Sequence, residues 1–326
     1  MNSPRYRVAL TLLLALLLAS TSTSAAATTA ESVTVTILSS NLANEATVGE
    51  WGFSALVEVD GRCVLFDAGR YPDTVLRNAA ALEVDLSCVT DVVLSHFHFD
   101  HTTGLVPLLE DLRAKNPDAI RRIHVAKGFF LSRRIPSVSG DEEWNPMIAM
   151  RETLEAAGVE FIEYAEAKEI SPAIWITGPV ERRHPEKNYP PQVRVRIDGE
   201  WVEDPVPDSQ GLTILTEDGP IVLLGCGHSG TVNLLEQVQD SIQNKPIQAL
   251  MGGMHLFNAD DATLGWTADR LREIGVRHLM AGHCTGIEPL MRLRTGLNLT
   301  RETAVVGAVG SRFVYGEGIH PTEIAQ

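Results

Sequence analysis

The run Val92-Val93-Leu94-Ser95-His96-Phe97-His98-Phe99-Asp100-His101 constrains the fold more than any other part of the chain. Its apolar start reads as a short buried strand. The strand then hands over to four groups able to hold a metal within six residues: His96, His98, Asp100 and His101. Alternate side chains of an extended backbone share a face, so His96 and His98 point one way and Phe97 and Phe99 the other. Asp100 and His101 fall where the chain turns towards a helix whose leucines recur at 105, 108, 109 and 112. A loop that is His-rich by accident is the competing explanation. Three imidazoles and a carboxylate at this density have no evident use in packing.

The same pattern returns later in the chain. Apolar strands end in Gly225-Cys226-Gly227-His228, in Gly252-Gly253-Met254-His255 and in Gly282-His283-Cys284-Thr285-Gly286. Strand ends on one edge of a sheet give rigid backbone and exposed tips, which is where ligand groups gather. Six or seven N and O donors brought together suit two borderline divalent cations, Zn²⁺ first, with Fe or Mn as alternatives. Two such cations about 3.5–4 Å apart polarise a substrate oxygen and hold a hydroxide that is nucleophilic at neutral pH. Asp67, in Phe66-Asp67-Ala68-Gly69 at the end of another strand, is either a carboxylate that orients a ligand histidine or a plain turn residue. His124 lies alone on a strand and reads as a partly buried polar residue. His278 reads as structural, and His184 and His320 as exposed.

Around these motifs the periodicity predicts strands at 32–39, 53–59, 62–66, 89–95 and 120–125, with helices at 72–82 and 105–113. Asp60-Gly61 supplies a hairpin turn. Residues 127–208 are less regular and read as a variable insertion covering the active site. Within them a helix spans 147–157, short strands lie at 160–164 and 173–177, and a small hairpin turns at Asp198-Gly199. From Gly211 the regular pattern resumes, with strands at 212–216, 220–224, 247–251, 276–280, 304–308 and 312–315 and helices at 232–242 and 263–274.

Residues 1–30 are set apart as a secretory signal peptide. Arg5 and Arg7 form a basic start, Val8 to Ala19 an apolar core, and Ala25-Ala26-Ala27 a small-residue cleavage site near Ala27 to Ala30. An uncleaved anchor is the alternative, but the apolar core falls short of the roughly 20 residues of a membrane span. The expected mature chain, 31–326, is therefore one domain, secreted or periplasmic, with no stable membrane span. Losing two arginines and no acids takes its net charge from −15 to −17. Such an acidic surface argues against nucleic acid, whose phosphates need clustered Lys and Arg; a small-molecule substrate is expected, and no partner protein is legible. The four cysteines, Cys63, Cys88, Cys226 and Cys284, are too few for a disulfide scaffold. A Cys63–Cys88 or a Cys226–Cys284 bridge is open; buried free thiols are preferred.

Ser-His-Phe-His-Phe-Asp-His resembles the HxHxDH signature of the metallo-β-lactamase superfamily, and Asp67, His228 and His283 follow in that superfamily's order. Glu50-Trp51-Gly52-Phe53-Ser54, Gly225-Cys226-Gly227-His228, Gly252-Gly253-Met254-His255-Leu256 and His283-Cys284-Thr285-Gly286 are similar to the branch of the 7,8-dihydropterin-6-yl-methyl-4-(β-D-ribofuranosyl)aminobenzene 5'-phosphate synthases. The resemblance implies an α/β fold, a four-layer αββα sandwich with the metal site on one edge of the paired sheets. It implies His96, His98 and His228 as ligands of a first metal, and Asp100, His101 and His283 of a second. One departure stands out. Where many superfamily hydrolases place a bridging aspartate, this chain has Gly252-Gly253-Met254-His255. That leaves occupancy of the second site open, and His255 either ligates a metal or contacts substrate.

The leading expectation is an exported metal-dependent hydrolase acting on an ester, lactone, amide or phosphoester through a metal-bound hydroxide, with Asp100 as the catalytic residue that orients the nucleophile or shuttles its proton. A transferase of the synthase type is the alternative, ranked lower because an exported protein has poor access to cytosolic pterin precursors. A non-catalytic metal-binding protein is the third.

Overall fold

Alternation along the strands decides the architecture. In the strand Val33–Ser39, Val33, Val35 and Ile37 face one core and Leu38 another. Val57 opposes Leu56, and Val64 and Phe66 oppose Leu65. In the second half, Ile221 and Leu223 share the first core while Val222 and Leu224 enter a third. Strands apolar on both faces must be covered on both faces. The computed structural model, which describes residues 28–326 except 187 and 190, meets that demand with four layers. The expected signal peptide lies almost wholly outside the described residues.

Two sheets pack face to face over the first core. One has eight strands, in the order 318–320, 312–314, 33–39, 54–59, 62–66, 89–93, 122–126, 160–164. The other has seven, in the order 304–306, 279–281, 249–252, 221–224, 211–214, 174–176, 168–171. Helices Thr74–Ala81, Leu105–Lys115 and Pro146–Ala156 cover the outer face of the first sheet through Val75, Leu108, Leu112, Met147 and Leu154. Helices Thr231–Ser241, Asp261–Ile274 and Ile287–Gly296 cover the second through Leu235, Leu271 and Leu290. The chain is therefore an αββα sandwich. Among the described residues no helix is long and apolar enough to cross a membrane.

Half of each sheet is parallel: 62–66, 89–93, 122–126 and 160–164 in the first, and 221–224, 249–252, 279–281 and 304–306 in the second. Parallel strands present all their C-terminal ends at one edge, so the turns after Phe66, Val93, Leu224, Gly252 and Ala281 come together there.

Three expectations change. The stretch 127–208 is not one insertion, because Glu160–Tyr164 extends the first sheet and Lys168–Ser171 with Ile174–Ile176 extend the second. Its irregular composition reflects short edge strands with little apolar alternation. The helix Ile287–Gly296 and the strand Gly318–His320 were not anticipated; Pro289 and Gly296 mask the helical period of the first. Finally, Cys63 and Cys88 are bridged, while Cys226 and Cys284 are free as preferred. The strands 62–66 and 89–93 are parallel neighbours with Cys63 opposite Val89. Cys88 therefore lies one residue from register, with Cα atoms 5.7 Å apart, inside the range a disulfide spans.

That bridge closes a segment with a sequence separation of 25. Replacing both cysteines by serine should lower the unfolding free energy in urea by about 3.5 kcal/mol, the chain-entropy value for such a loop. Metal content should not change, since the bridge joins the strand starts, opposite the edge that carries the histidines.

Candidate metal centre

The strand Val89–Val93 stops two residues before the first histidine, and His98 caps a one-turn helix, Phe99–Thr102. Phe97 is fully buried and Phe99 is 36% exposed, so the two aromatics do not share a face as an extended strand would have placed them. The imidazoles do converge. His96 Nε2 lies 2.9 Å from His98 Nδ1, which is 3.2 Å from His228 Nε2. Asp100, His101 and His283 form the adjoining group, with Asp100 Oδ2 3.7 Å from His101 Nε2 and 3.3 Å from His283 Nε2. All six expected ligands thus meet at the joint edge of the two sheets.

The far side of most rings is fixed. Ser95 Oγ donates to Asp67 Oδ2 at 2.7 Å, which leaves its oxygen to accept from His96 Nδ1 at 2.9 Å. His101 Nδ1 donates to the same Asp67 oxygen at 2.7 Å. His228 Nδ1 donates to the Asn188 carbonyl, and His283 Nδ1 approaches Asn41 Oδ1 at 3.4 Å. With each Nδ1 so engaged, Nε2 of these four rings faces inward, as a lone pair on His96 and His228 and with a proton to shed on His101. Asp67 is therefore the orienting carboxylate and not a plain turn residue. It also accepts Ser95 N–H at 2.7 Å, and its φ of 59° is a left-handed backbone held by these bonds.

Burial shapes the charges. It holds His96 and His228 well below the ordinary imidazole value, helped by the neighbouring rings, and holds His98 down to about 3 despite the opposing Asp100. Neutral imidazole nitrogens are the donors a divalent cation takes, and His96, His98 and His228 bring theirs together within one cation's reach, so this donor set fits a divalent metal. Burial also opposes charge on His101, but Asp67 and Asp100 outweigh it and raise that group to about 9. Asp100 is held well below the carboxylate range, against its own burial, by His101 and His283.

Several supports were not singled out from sequence. Arg133, fully buried, reaches Asp204 at 2.9 Å and also pairs with Asp208. Asp208 in turn accepts the Phe97 N–H at 3.0 Å, and the Arg133 guanidinium covers the Phe97 ring at 3.8 Å. This pins the loop between His96 and His98 from below. Trp144 sets its edge against His98, with centroids 5.5 Å apart. Both Arg133 and Trp144 come from the stretch read as an insertion, so that part of it does lie against the site. Only the position of Ser95, directly before His96, offered a signal for such a role.

His255 stands at the rim. Its ring centroid is 4.7 Å from that of His228, its φ is 49°, and its buried Nδ1 has no hydrogen-bond partner. It opens onto a cleft of about 990 Å³ whose walls include His184, Tyr189, Phe257 and Trp266. His184, expected to be exposed, is half-buried there and bonds Glu236 at 3.0 Å. His124, by contrast, bonds Asp91 and Tyr164 away from the site, and His278 bonds the Gln248 carbonyl.

Fold and site together define a class: the chain belongs to the metallo-β-lactamase superfamily, whose model matches residues 52–130. It is 28% identical over 275 residues to the 7,8-dihydropterin-6-methyl-4-(beta-D-ribofuranosyl)-aminobenzene-5'-phosphate synthase of Methanocaldococcus jannaschii, covering 79% of this chain and 89% of that one. An uncharacterised protein of the same organism is 30% identical, with 79% and 93% covered. Among solved structures, a metal-dependent hydrolase of the beta-lactamase superfamily, Tm1679, superposes with a TM-score of 0.67 at 27% identity, covering 82% of this chain and 94% of the other.

Two outcomes follow from Asp67 and His101. Asp67→Ala should weaken metal binding by about 10–100-fold in chelator competition while the far-ultraviolet spectrum stays unchanged. Because the folded His101 value is raised to about 9, its pairing with Asp67 stabilises the metal-free fold fully below the unfolded value near 6.5 and is lost as pH rises through 9. A cation taking His101 Nε2 must expel that proton. Affinity at this position should therefore climb with pH up to about 9, with proton release visible by calorimetry in buffers of different ionisation enthalpy.

Proposed function

We propose that this protein is an exported metal-dependent hydrolase of small molecules carrying an ester, lactone, amide or phosphoester. The observation that carries the reading is the convergence of His96 Nε2, His98 Nδ1 and His228 Nε2 beside Asp100, His101 and His283, next to a cleft of about 990 Å³. In this reading the first three hold one divalent cation and the second three another, Zn²⁺ before Fe or Mn. Such a cation, when bound, supplies Lewis acidity and brings a water's pKa towards neutrality.

The chain's own groups do the rest. Asp100 stays ionised at neutral pH, so it accepts a hydrogen bond from the attacking water and aligns it. His255, with a free buried nitrogen between the metal edge and the cleft, contacts substrate. Phe257 and Trp266 offer apolar faces for its body. The Cys63–Cys88 bridge and the leader-like residues 1–30 favour an oxidising compartment. The likeness to Tm1679 supports hydrolysis.

A transferase of the synthase type is the second reading. The similarity over 89% of the synthase favours it, and both reactions ask the site to polarise one substrate and stabilise its leaving group. A metal binder without catalysis would have no use for the adjoining cleft.

Protein purified without chelator should contain one to two divalent metals per chain, as the donor sets predict. It should turn over at least one of a panel of chromogenic ester, lactone, β-lactam and phosphodiester substrates, and His98→Ala should lose at least about 100-fold of that activity together with its metal. Turnover only of a pterin diphosphate with an aminobenzoate derivative would establish the transferase instead, and absence of metal would reject both.

A further inference from the structure

Two buried thiols lie between the histidine groups, and the reading above leaves them without a role. Cys226 Sγ is 3.2 Å from His101 Nε2. Its sulfur belongs to two sets of donor atoms, each set lying within 4.8 Å of one another: with Asp100, His101 and His283 on one side, and with His228 and His255 on the other. It therefore stands at the seam of the two halves of the site. Cys284 Sγ accepts the His255 N–H at 3.3 Å and lies 4.0 Å from the Cys226 carbonyl oxygen, outside the four-donor group.

The backbone at Gly253 shows why no carboxylate occupies this seam. A Cβ there would fall 2.2 Å from the Gly225 carbonyl oxygen, 2.8 Å from Cys284 Sγ and 3.2 Å from His283 Cδ2. Any side chain at 253 collides with backbone, so no carboxylate can reach the site from that position, and the sulfur packed against it is that of Cys284. A second observation marks the place as a ligand site. His283 Nε2 is buried and has no hydrogen-bond partner; its 3.3 Å contact with Asp100 Oδ2 lacks the geometry of one.

We propose that the Cys226 thiolate is a ligand of the second cation, completing a donor set of one sulfur, two imidazole nitrogens and one carboxylate oxygen. The proposal rests on the reading of this edge as a divalent-cation centre. Four donors of this kind suit a tetrahedral site. A thiolate among them favours zinc, cobalt or iron over magnesium, calcium or manganese. On binding, the S–H bond breaks, a metal–sulfur bond forms, and the proton leaves to solvent. Cys226, and not Cys284, sits with the three other donors.

Cobalt(II) tests this on the full chain. The protein is stripped with chelator, reloaded with excess Co²⁺, desalted, and read by metal analysis and near-ultraviolet absorption. The wild type should show sulfur-to-cobalt charge-transfer absorption, retained in Cys284→Ser. Cys226→Ser should lose the band and about one equivalent of metal per chain, because a ligand of that site is gone. Bound cobalt without the band in the wild type, or an unchanged band in Cys226→Ser, would overturn the proposal and leave the cation centre standing. A wild type that binds no cobalt at all would overturn the centre itself. If Cys226→Ser does not fold, the wild-type and Cys284→Ser spectra decide the matter.

Discussion

The structure turns on one carboxylate. Asp67 leaves the strand Arg62–Phe66 in a left-handed conformation and accepts Ser95 N–H, Ser95 Oγ–H and His101 Nδ1–H, each at 2.7 Å. Those three bonds tie two neighbouring strand ends together and set the direction of two imidazoles, one of them through Ser95. The opposite sheet meets the same carboxylate at Gly225, where a Cβ would fall 1.9 Å from Ser95 Oγ and 2.8 Å from Asp67 Oδ2. Only glycine lets the second sheet come this close. The close approach is what allows His228 and Cys226, a few residues on, to reach rings from the first sheet.

Strand-end geometry explains how much could be read in advance. His96, His98, Asp100, His101, His228 and His283 were legible because a period of two followed by a glycine-rich turn marks where a parallel strand releases its side chains. Asp67 carried the same signal. Arg133, Asp204 and Asp208 carried none: a buried ion triad assembled from residues up to 75 apart in sequence leaves no local pattern. Asn188 and Trp144 reach the histidines by tertiary packing alone. The disulfide depended on the register of Cys63 against Val89, which composition cannot supply. The strands at 160–164 and 173–177 were legible as strands but were assigned to an insertion for a related reason. Nothing local to a short strand at a sheet margin says which sheet it will join.

Three of the ten left-handed non-glycine residues among the described residues fall at the histidine edge. Asp67, His255 and His283 all adopt left-handed backbone, with φ of 59°, 49° and 49°. For residues with a Cβ each such conformation costs on the order of 1 kcal/mol or more. The surrounding four-layer packing fixes the strands before each turn, so the turns have no freedom to relax. Rigid placement matters here because a cation finds the nitrogens of His96, His98 and His228 already converging. Helix packing and the Arg133 triad hold those rings in place, which gives a preorganised donor set.

The two cysteine pairs show the same edge logic from opposite ends. Cys63 and Cys88 sit where two parallel strands begin, far from any ligand group, and nothing competes with the bond between them. Cys226 and Cys284 sit where parallel strands end, among histidines and Asp100. There a thiol has a second use, because a divalent cation and a disulfide require the same sulfur electrons. If Cys226 ligates a cation, loading the site protects that sulfur from oxidation. Topology then does the sorting: one sandwich carries a bridged pair at its strand starts and a free pair at its strand ends.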